Sequence, residues 1–228
     1  MVNIRVVSVI LALSAAFSVG CSTLYPPTVH VTAVPRPPVV DMSALACQPI
    51  VTFGVVAPAA IQGLGPTVSY ALGSVLLSGS PPIYAVPTTE MLNRLGDHGL
   101  GGEYGDMLSG FARNGILTRE PLQRIGAALG SHYALLPGLA EFGQTLEDKF
   151  DFEGFKVVRT RISALRLWLQ LWDMQTGHIL WQSTGEVTLA YHIARAQESV
   201  SLDELARILW SRMIEDELIG ANKAWRCP

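Results

Sequence analysis

The side chains that could carry catalytic or metal chemistry are few and lie far apart along the 228 residues. No Gly-x-Ser-x-Gly elbow occurs, and no histidine pairs at i, i+4 with another ligand in a zinc arrangement. The histidines are His30, His98, His132, His178 and His192. The glycine-rich stretch Gly99–Gly105 lacks the Lys-Ser/Thr ending of a phosphate loop, so we expect a flexible connection there. These patterns predict no catalytic residue, no metal site and no cofactor.

One cysteine follows an amino-terminal stretch that is built like a secretory signal. Arg5 gives the positive start, Val6–Val19 is uncharged and apolar, and the small Gly20 precedes Cys21. This stretch resembles a bacterial lipoprotein signal, although Ser18 stands where that pattern prefers Leu. The resemblance implies removal of residues 1–20 and diacylation of Cys21. It also implies sorting to the outer membrane, because Ser22 rather than Asp follows the cysteine. The alternative is a plain signal peptide that is cut elsewhere.

The segment after Cys21 is rich in proline and reads as a spacer. Residues 21–46 contain Pro26, Pro27, Pro35, Pro37 and Pro38, with Thr and Val between them. Such composition favours extended polyproline II and cannot close a core of its own. We therefore expect a tether that holds one domain, residues 47–228, away from the membrane. A ligand for a proline-recognition module is the alternative.

Two further cysteines bracket the expected domain. With Cys21 acylated, Cys47 and Cys227 remain as an even pair. In an oxidising compartment such a pair favours a disulfide, here one that closes a very long loop. The alternative, two unpaired thiols, stays open from the sequence.

Composition alone suggests the wrong class of protein. The chain is 49% hydrophobic and only 15% charged, with a mean hydropathy of +0.32, which is typical of a membrane protein. Only the first twenty residues approach spanning length, so several membrane spans are excluded. A net charge of −3 with scattered Lys and Arg excludes a nucleic-acid binder.

The first half of the domain alternates strand and helix patterns. Pro49–Ala57 has the length and β-branching of a strand, and apolar residues within Thr67–Leu77 recur at helical spacing. A short strand within Ile83–Val86 and further helices follow, the last of them starting at Thr118 and ending at a Gly130 cap. The next strand, Tyr133–Phe142, contains Pro137-Gly138, which predicts an edge position or a bulge.

The second half predicts a long hairpin and a closing helix. Arg161–Trp172 alternates strictly, so its odd-numbered leucines face one way while Trp168 and Trp172 face the other, where a helix or a partner must cover them. The next strand places Ile179, Trp181, Val187, Leu189 and Tyr191 on its odd positions. Paired strands share a face, which predicts a three-residue loop with Gly177 in the left-handed region. The expected neighbours are Leu171 with Trp181 and Leu165 with Val187. Ser201–Glu204 is a capping box that opens the last helix.

This order of elements predicts an α/β fold, a three-layer α/β sandwich with a mixed sheet that ends in a long β-hairpin and a C-terminal helix. Two stretches sharpen the prediction: Leu122–Phe142 (LQRIGAALGSHYALLPGLAEF) and Leu167–Gln182 (LWLQLWDMQTGHILWQ). They resemble the superfamily of the curli secretion lipoprotein, the lipoprotein activators of penicillin-binding proteins and the TolB amino-terminal domain. The resemblance implies a non-enzymatic periplasmic lipoprotein that works through contacts with envelope proteins.

A contact surface is predicted at the segment Gly143–Lys156. Phe150, Phe152 and Phe155 lie there among four acidic residues. The segment is too short and too acidic for a membrane-spanning hairpin, for which about 9–11 alternating residues per strand are needed. We interpret these phenylalanines, together with Trp168 and Trp172, as candidate partner contacts. The alternative is a solvated turn with buried phenylalanines and no role in binding.

The sequence thus predicts a lipid-anchored protein of the outer membrane, facing the periplasm, that acts by protein–protein contacts in envelope assembly or secretion. Its partners would be membrane lipid through Cys21 and envelope proteins, with an oligomer allowed. Two alternatives remain: a subunit of an oligomeric outer-membrane secretion channel, and a small periplasmic hydrolase.

Overall fold

Six strands form one mixed sheet, and helices pack on both of its faces. The computed structural model describes residues 28–34, 48–79, 83–151, 156–192 and 200–219. The strands are β1 (Thr28–Val34), β2 (Ile50–Thr52), β3 (Ala85–Val86), β4 (Tyr133–Asp151), β5 (Lys156–Asp173) and β6 (His178–His192). The helices are α1 (Gly65–Ser78), α2 (Thr88–Asp97), α3 (Gly101–Asn114), α4 (Arg119–Leu129) and α5 (Leu202–Ser211). A 3₁₀ helix, Ala59–Leu64, leads into α1, and a π-helical segment, Arg212–Ile219, follows α5.

The sheet has the order β1-β6-β5-β4-β2-β3. β2 runs parallel to both β3 and β4, whereas the pairs β4–β5, β5–β6 and β1–β6 are antiparallel. Because parallel neighbours need crossovers, helices connect β2, β3 and β4, while hairpins connect the later strands.

Two hydrophobic cores lie on opposite faces of this sheet. On one face, α1 and α5 bury Val68, Leu72 and Leu209 against the odd-numbered leucines of β5. On the other face, α2, α3 and α4 cover the second core, to which Trp172 belongs. The three-layer α/β sandwich with a mixed sheet is therefore confirmed, together with its long hairpin and following helix.

One helical stretch, Ala59–Ser78, is long and apolar enough to cross a membrane, among the residues described. The face of α1 that carries Val68, Ala71, Leu72, Val75 and Leu76 is buried in the first core. We therefore interpret it as a core helix, which also matches the helix predicted over Thr67–Leu77.

The spacer prediction is wrong for the residues that form β1. Thr28–Val34 pairs with Gln182–Thr188 of β6 along its whole length. Val29 and Val31 pack against the first core, and the Ser183 hydroxyl donates to the Thr32 carbonyl at 3.3 Å. Alternating valines therefore let this part of the Pro-rich segment join the sheet as its edge strand.

The prediction of a flexible connection over Gly99–Gly105 is also wrong for most of that stretch. α3 spans Gly101–Asn114, and the next residue, Gly115, caps it with a left-handed φ of 71°. Glycine lowers helix propensity, but Tyr104, Met107 and Phe111 recur on one helix face and are buried. Tertiary packing thus outweighs the local propensity.

Of the two alternatives predicted from Pro137-Gly138, an edge position or a bulge, the structure shows a bulge in a strand that lies inside the sheet. The register shifts between Leu139 and Glu141. On its other side, β4 pairs with β2 only as far as Leu135, and Val56 then bridges to Gly138. Pro137 lies between these two contacts and has no N–H to donate to β2. The Phe53 carbonyl, just after β2, accepts from the Thr88 hydroxyl at 3.3 Å instead. The missing N–H of Pro137 therefore falls where the ladder is already interrupted.

The β5–β6 hairpin has the predicted neighbours but a different loop. Leu165 pairs with Val187 and Leu171 with Trp181, as predicted. The loop has four residues, 174–177, and Gly177 has a φ of 73°. A bulge at Leu180 then restores the shared face, so Ile179 lies opposite Trp172 and is 37% exposed rather than buried.

Side chains and glycines fix the element ends largely as predicted. The Asp173 carboxylate accepts from the amides of Gln175 and Thr176 at 2.8 and 3.1 Å, which holds the hairpin turn. α4 ends at Gly130, which has a φ of 64°. The Ser201 hydroxyl accepts from the Glu204 amide at 3.2 Å and caps α5.

Candidate functional site

Of the residues predicted as partner contacts, Phe150 lies far along the sheet from the two tryptophans. Phe150 is near the outer end of β4 and its backbone pairs with Val157, while Phe152 and Phe155 lie outside the described residues. Trp168 lies eleven residues after Val157 along β5, a separation of about 36 Å at 3.3 Å per residue.

The structure places Trp172 inside the second core. It is 4% exposed, and its ring meets Phe111 of α3 edge-on with the centroids 6.3 Å apart. Its indole N–H donates to the Gln170 side-chain oxygen at 3.0 Å. Of the two covers that the sequence allowed, a helix is the one observed, so no partner reaches Trp172 while α3 stays in place.

Trp168 is half-buried at the border of the same core. Its ring lies 5.8 Å from that of Phe111 and stands where a side chain at Gly138 would be. A Cβ at position 138 would come within 1.7 Å of Trp168 Cε2. The side chains of two predicted contact residues are described: Trp172 is buried, and Trp168 is partly exposed.

A row of polar residues crosses the sheet beside Trp168. The register aligns His30, Glu186, Arg166 and Glu141 on four neighbouring strands. Arg166 bridges to Glu186 at 3.0 Å and to Glu141 at 3.3 Å, and the hydrogen bond that Arg166 donates to Glu186 raises the Arg166 pKa. All three side chains are about half exposed, so these ion pairs contribute little stability.

The outer half of β4 presents an open strand edge. Beyond Leu139, β4 pairs with β5 on one side and with no strand on the other, within the part of the chain that the structure describes. Leu146 on this stretch is 58% exposed. We call residues 140–147 the β4 open edge. Unpaired backbone groups on such an edge can hydrogen-bond an added strand.

Cys21, Cys47 and Cys227 all lie outside the described residues. Within the described ranges, no group of three or more His, Cys, Asp or Glu side chains is arranged to hold a metal ion.

The sequence reading missed a groove at the carboxyl ends of β2 and β3. The groove has a volume of about 980 Å³ and lies between α1 on one face of the sheet and α2 and α3 on the other. From β2 the chain passes through α1, on one face of the sheet, to β3, which flanks β2 on one side. From β3 it returns through α2, α3 and α4, on the opposite face, to β4, which flanks β2 on the other side. This is a point where the strand order reverses, and such crevices are where open α/β sheets bind ligands.

Mostly small side chains line this groove, and none of the described lining residues is charged. The residues of α1 that line it are Gly65, Pro66, Ser69, Tyr70, Gly73, Ser74 and Leu77. The Ser69 and Thr88 hydroxyls lie 3.2 Å apart and join α1 to α2. The signal in the sequence is the i, i+3, i+7 recurrence of small residues on the face of α1 that points away from the core.

Tyr104 fixes the end of β2 at the groove floor. Its hydroxyl accepts from the Gly54 amide at 2.7 Å, and its ring packs edge-on against Phe53 at 5.5 Å. Burial raises the pKa of Tyr104 to about 12, and the Gly54 hydrogen bond offsets part of that rise. The phenol therefore stays protonated at any physiological pH.

No family model matches the chain, and no curated protein matches it. Among solved structures, the PelC dodecamer from Paraburkholderia phytofirmans aligns with 82% of this chain and 95% of its own, at 11% identity and a TM-score of 0.45. Lipoprotein GNA1162 from Neisseria meningitidis aligns with 77% of this chain and 99% of its own, at 15% identity and a TM-score of 0.38. The LpoB C-terminal domain from Salmonella enterica aligns with 64% and 93%, at 17% identity and a TM-score of 0.33.

Proposed function

We propose that this protein is a lipid-anchored, non-enzymatic protein of the outer membrane that faces the periplasm and acts by binding envelope proteins during envelope assembly or secretion. The observation that carries this proposal is the β4 open edge. The amino-terminal signal pattern that ends at Cys21 supports the location.

The β4 open edge fits a partner that binds as an added strand. Such binding uses backbone hydrogen bonds for affinity and alternate side chains for specificity. Proteins usually protect long edges with charges, bulges or a covering element. Here the bulge at Leu139–Glu141 marks where the edge begins, and the exposed Leu146 offers an apolar contact along it. An extended segment of an envelope protein with apolar residues at alternate positions is the partner that suits this edge.

The position of β1 supports a membrane-proximal orientation of this edge. Thr28 is seven residues beyond Cys21, a reach of at most about 25 Å. Thr28 pairs with Thr188, which aligns through Ala164 with Gly143 at the start of the outer part of β4. An acylated Cys21 would therefore hold the β4–β5 hairpin, with Phe150, Phe152 and Phe155, toward the membrane.

Site-specific photocrosslinking in cells tests the proposal. A photoreactive residue at Leu146 is expected to capture a defined envelope protein. Leu146→Lys is expected not to replace the wild-type chain in cells that lack it, because a charge on the edge disfavours strand addition. Ile116, which is 63% exposed in the turn between α3 and α4, provides the matched control for both experiments.

Cell fractionation of the same strains checks the anchor. The wild-type chain is expected in the outer-membrane fraction, and Cys21→Ser in the soluble periplasmic fraction. Equal capture from positions 146 and 116, or none from either, would contradict the role of the β4 open edge. A detergent-resistant ring of many subunits would instead favour the channel alternative.

A further inference from the structure

The groove at the carboxyl ends of β2 and β3 has no part in strand addition at the β4 open edge. We propose that this groove binds an amphiphile, with its apolar chain along α1 and an oxygen-rich head at the amino terminus of α2. The head would be a carboxylate or ester that accepts hydrogen bonds. The inference does not depend on the proposed function.

The amino terminus of α2 supplies donors for such a head. Pro87 is the N-cap residue, and no side chain caps the first turn of this ten-residue helix. Pro87, Thr88 and Thr89 all line the groove. The first amides of a helix have no partner within the helix, and the helix dipole favours negative charge at this end.

A second observation at the same place points independently to a ligand. Thr52 lines the groove and is 3% exposed, yet its hydroxyl makes no hydrogen bond to any residue that the structure describes. A buried hydroxyl without a partner costs free energy, and buried polar groups are normally satisfied. An acceptor in the groove would satisfy the Thr52 hydroxyl together with the α2 amides.

The rest of the groove suits an apolar chain. Tyr70 and Leu77 on α1 and Leu92 on α2 line it, and they are 69%, 65% and 46% exposed. The wall that α1 forms from Ser69, which lies beside the start of α2, to Leu77 is about 12 Å long at 1.5 Å per residue. Val55 and Val56 add apolar surface at the floor. A linear chain of about ten carbons would cover the exposed rings and methyl groups over this length, which favours its burial.

The absence of charge among the lining residues narrows the head group. Among the described residues that line the groove, no Lys or Arg is present to neutralise a phosphate dianion, and no Asp or Glu to pair with an ammonium group. Backbone amides and hydroxyls can satisfy a neutral ester or a single carboxylate. A cationic head would meet the positive end of the α2 dipole and is disfavoured.

Gly73 provides a way to fill the groove without disturbing the core. It lies on the groove wall of α1, and a Cβ at this position would meet no atom within 4 Å. Gly73→Phe would therefore occupy the space of the apolar chain. Gly105 in α3 is equally unobstructed and does not line the groove, so Gly105→Phe is the matched control.

Isothermal titration with decanoate, decylamine and decyl phosphate tests the proposal. The full mature chain is used with Cys21→Ser, so that no acyl chain of its own competes. Decanoate is expected to bind with a stoichiometry of one, and at least about tenfold more tightly than either of the other two probes. Thr52→Val is expected to weaken decanoate binding about fivefold, which corresponds to one hydrogen bond.

The variants separate binding from folding. Because the Thr52 hydroxyl has no partner among the described residues, Thr52→Val should keep the wild-type unfolding midpoint or raise it. Gly73→Phe is expected to abolish decanoate binding, and Gly105→Phe to preserve it. Decylamine that binds as tightly as decanoate, or undiminished decanoate binding by Gly73→Phe, would overturn the proposal.

Discussion

At the scale of single residues, glycine 138 and tryptophan 168 depend on each other. The indole ring occupies the volume that any side chain at position 138 would need, and Gly138 is also the residue to which Val56 bridges from β2. The pair therefore joins the end of the parallel part of the sheet to the border of the second core. A glycine in the interior of a strand is costly in chain entropy, and here the close packing of the ring explains its place.

Gly138→Ala is expected to displace the Trp168 ring and to lower the free energy of unfolding by about 1–3 kcal/mol, the usual cost of overpacking. Chemical denaturation measures the loss, and tryptophan fluorescence is expected to shift to the red as the ring becomes exposed. Gly143→Ala in the same strand is the control, because a Cβ there would meet nothing within 4 Å. Equal unfolding midpoints for the two variants would show that the ring moves aside without cost.

Tyr104 predicts a stability change at high pH. Its pKa is about 12 in the folded chain, against a reference value of about 10 for tyrosine in an unfolded chain. Between these values the folded state holds a proton that the unfolded state has lost. The free energy of unfolding is therefore expected to fall as pH rises from 10 to 12, by roughly 2–3 kcal/mol from this residue. Below pH 10 the Tyr104 phenol is protonated in both states, so this residue causes no loss of unfolding free energy there.

Denaturant unfolding of the wild-type chain and Tyr104→Phe at several pH values tests this expectation. The variant should lose that part of the slope above pH 10. It should also be less stable at pH 8, because the Gly54 amide loses its acceptor. Tyr84→Phe, which removes a 68% exposed phenol, is the control at pH 8 and should keep the wild-type midpoint. Parallel pH profiles for the wild-type chain and Tyr104→Phe would contradict the assignment.

At the scale of elements, period-two alternation was the most informative pattern. It predicted β5 and its pairing with β6, because the leucines at 165, 167, 169 and 171 can all be buried only on one face. It failed at Ile179, since a bulge at Leu180 moves one residue without leaving a mark in the composition. Helix propensity failed only at the glycine-rich start of α3, because packing against the sheet stabilises the first turn through the burial of Tyr104.

The candidate sites were less accessible to prediction than the elements. The groove is assembled from β2, α1, α2 and α3, and its lining side chains are small and chemically unremarkable. The β4 open edge depends on where β2 ends rather than on any residue of β4 itself. Both are properties of how the elements are arranged in space, which local sequence patterns do not encode.

At the scale of the whole molecule, the Cys47–Cys227 disulfide can be judged against the width of the sheet. Cys47 immediately precedes Gln48 and Pro49, which lead into β2, while Cys227 follows Ile219 by eight residues. The segment that ends at Ile219 packs on β6 and β1, at the opposite side of the sheet. Four strand spacings separate β1 from β2, about 19 Å at 4.8 Å each. Eight residues can span about 26 Å, so the chain is long enough for the bond.

We expect the mature, oxidised protein to contain this disulfide, and Cys227→Ser to lower the free energy of unfolding by about 2–4 kcal/mol. The cross-link stabilises the fold by restricting the unfolded chain over nearly the whole domain, so the loss should disappear when both proteins are unfolded under reducing conditions. Peptide mapping without reduction identifies the bond directly. Two free thiols in the denatured, unreduced chain would contradict it.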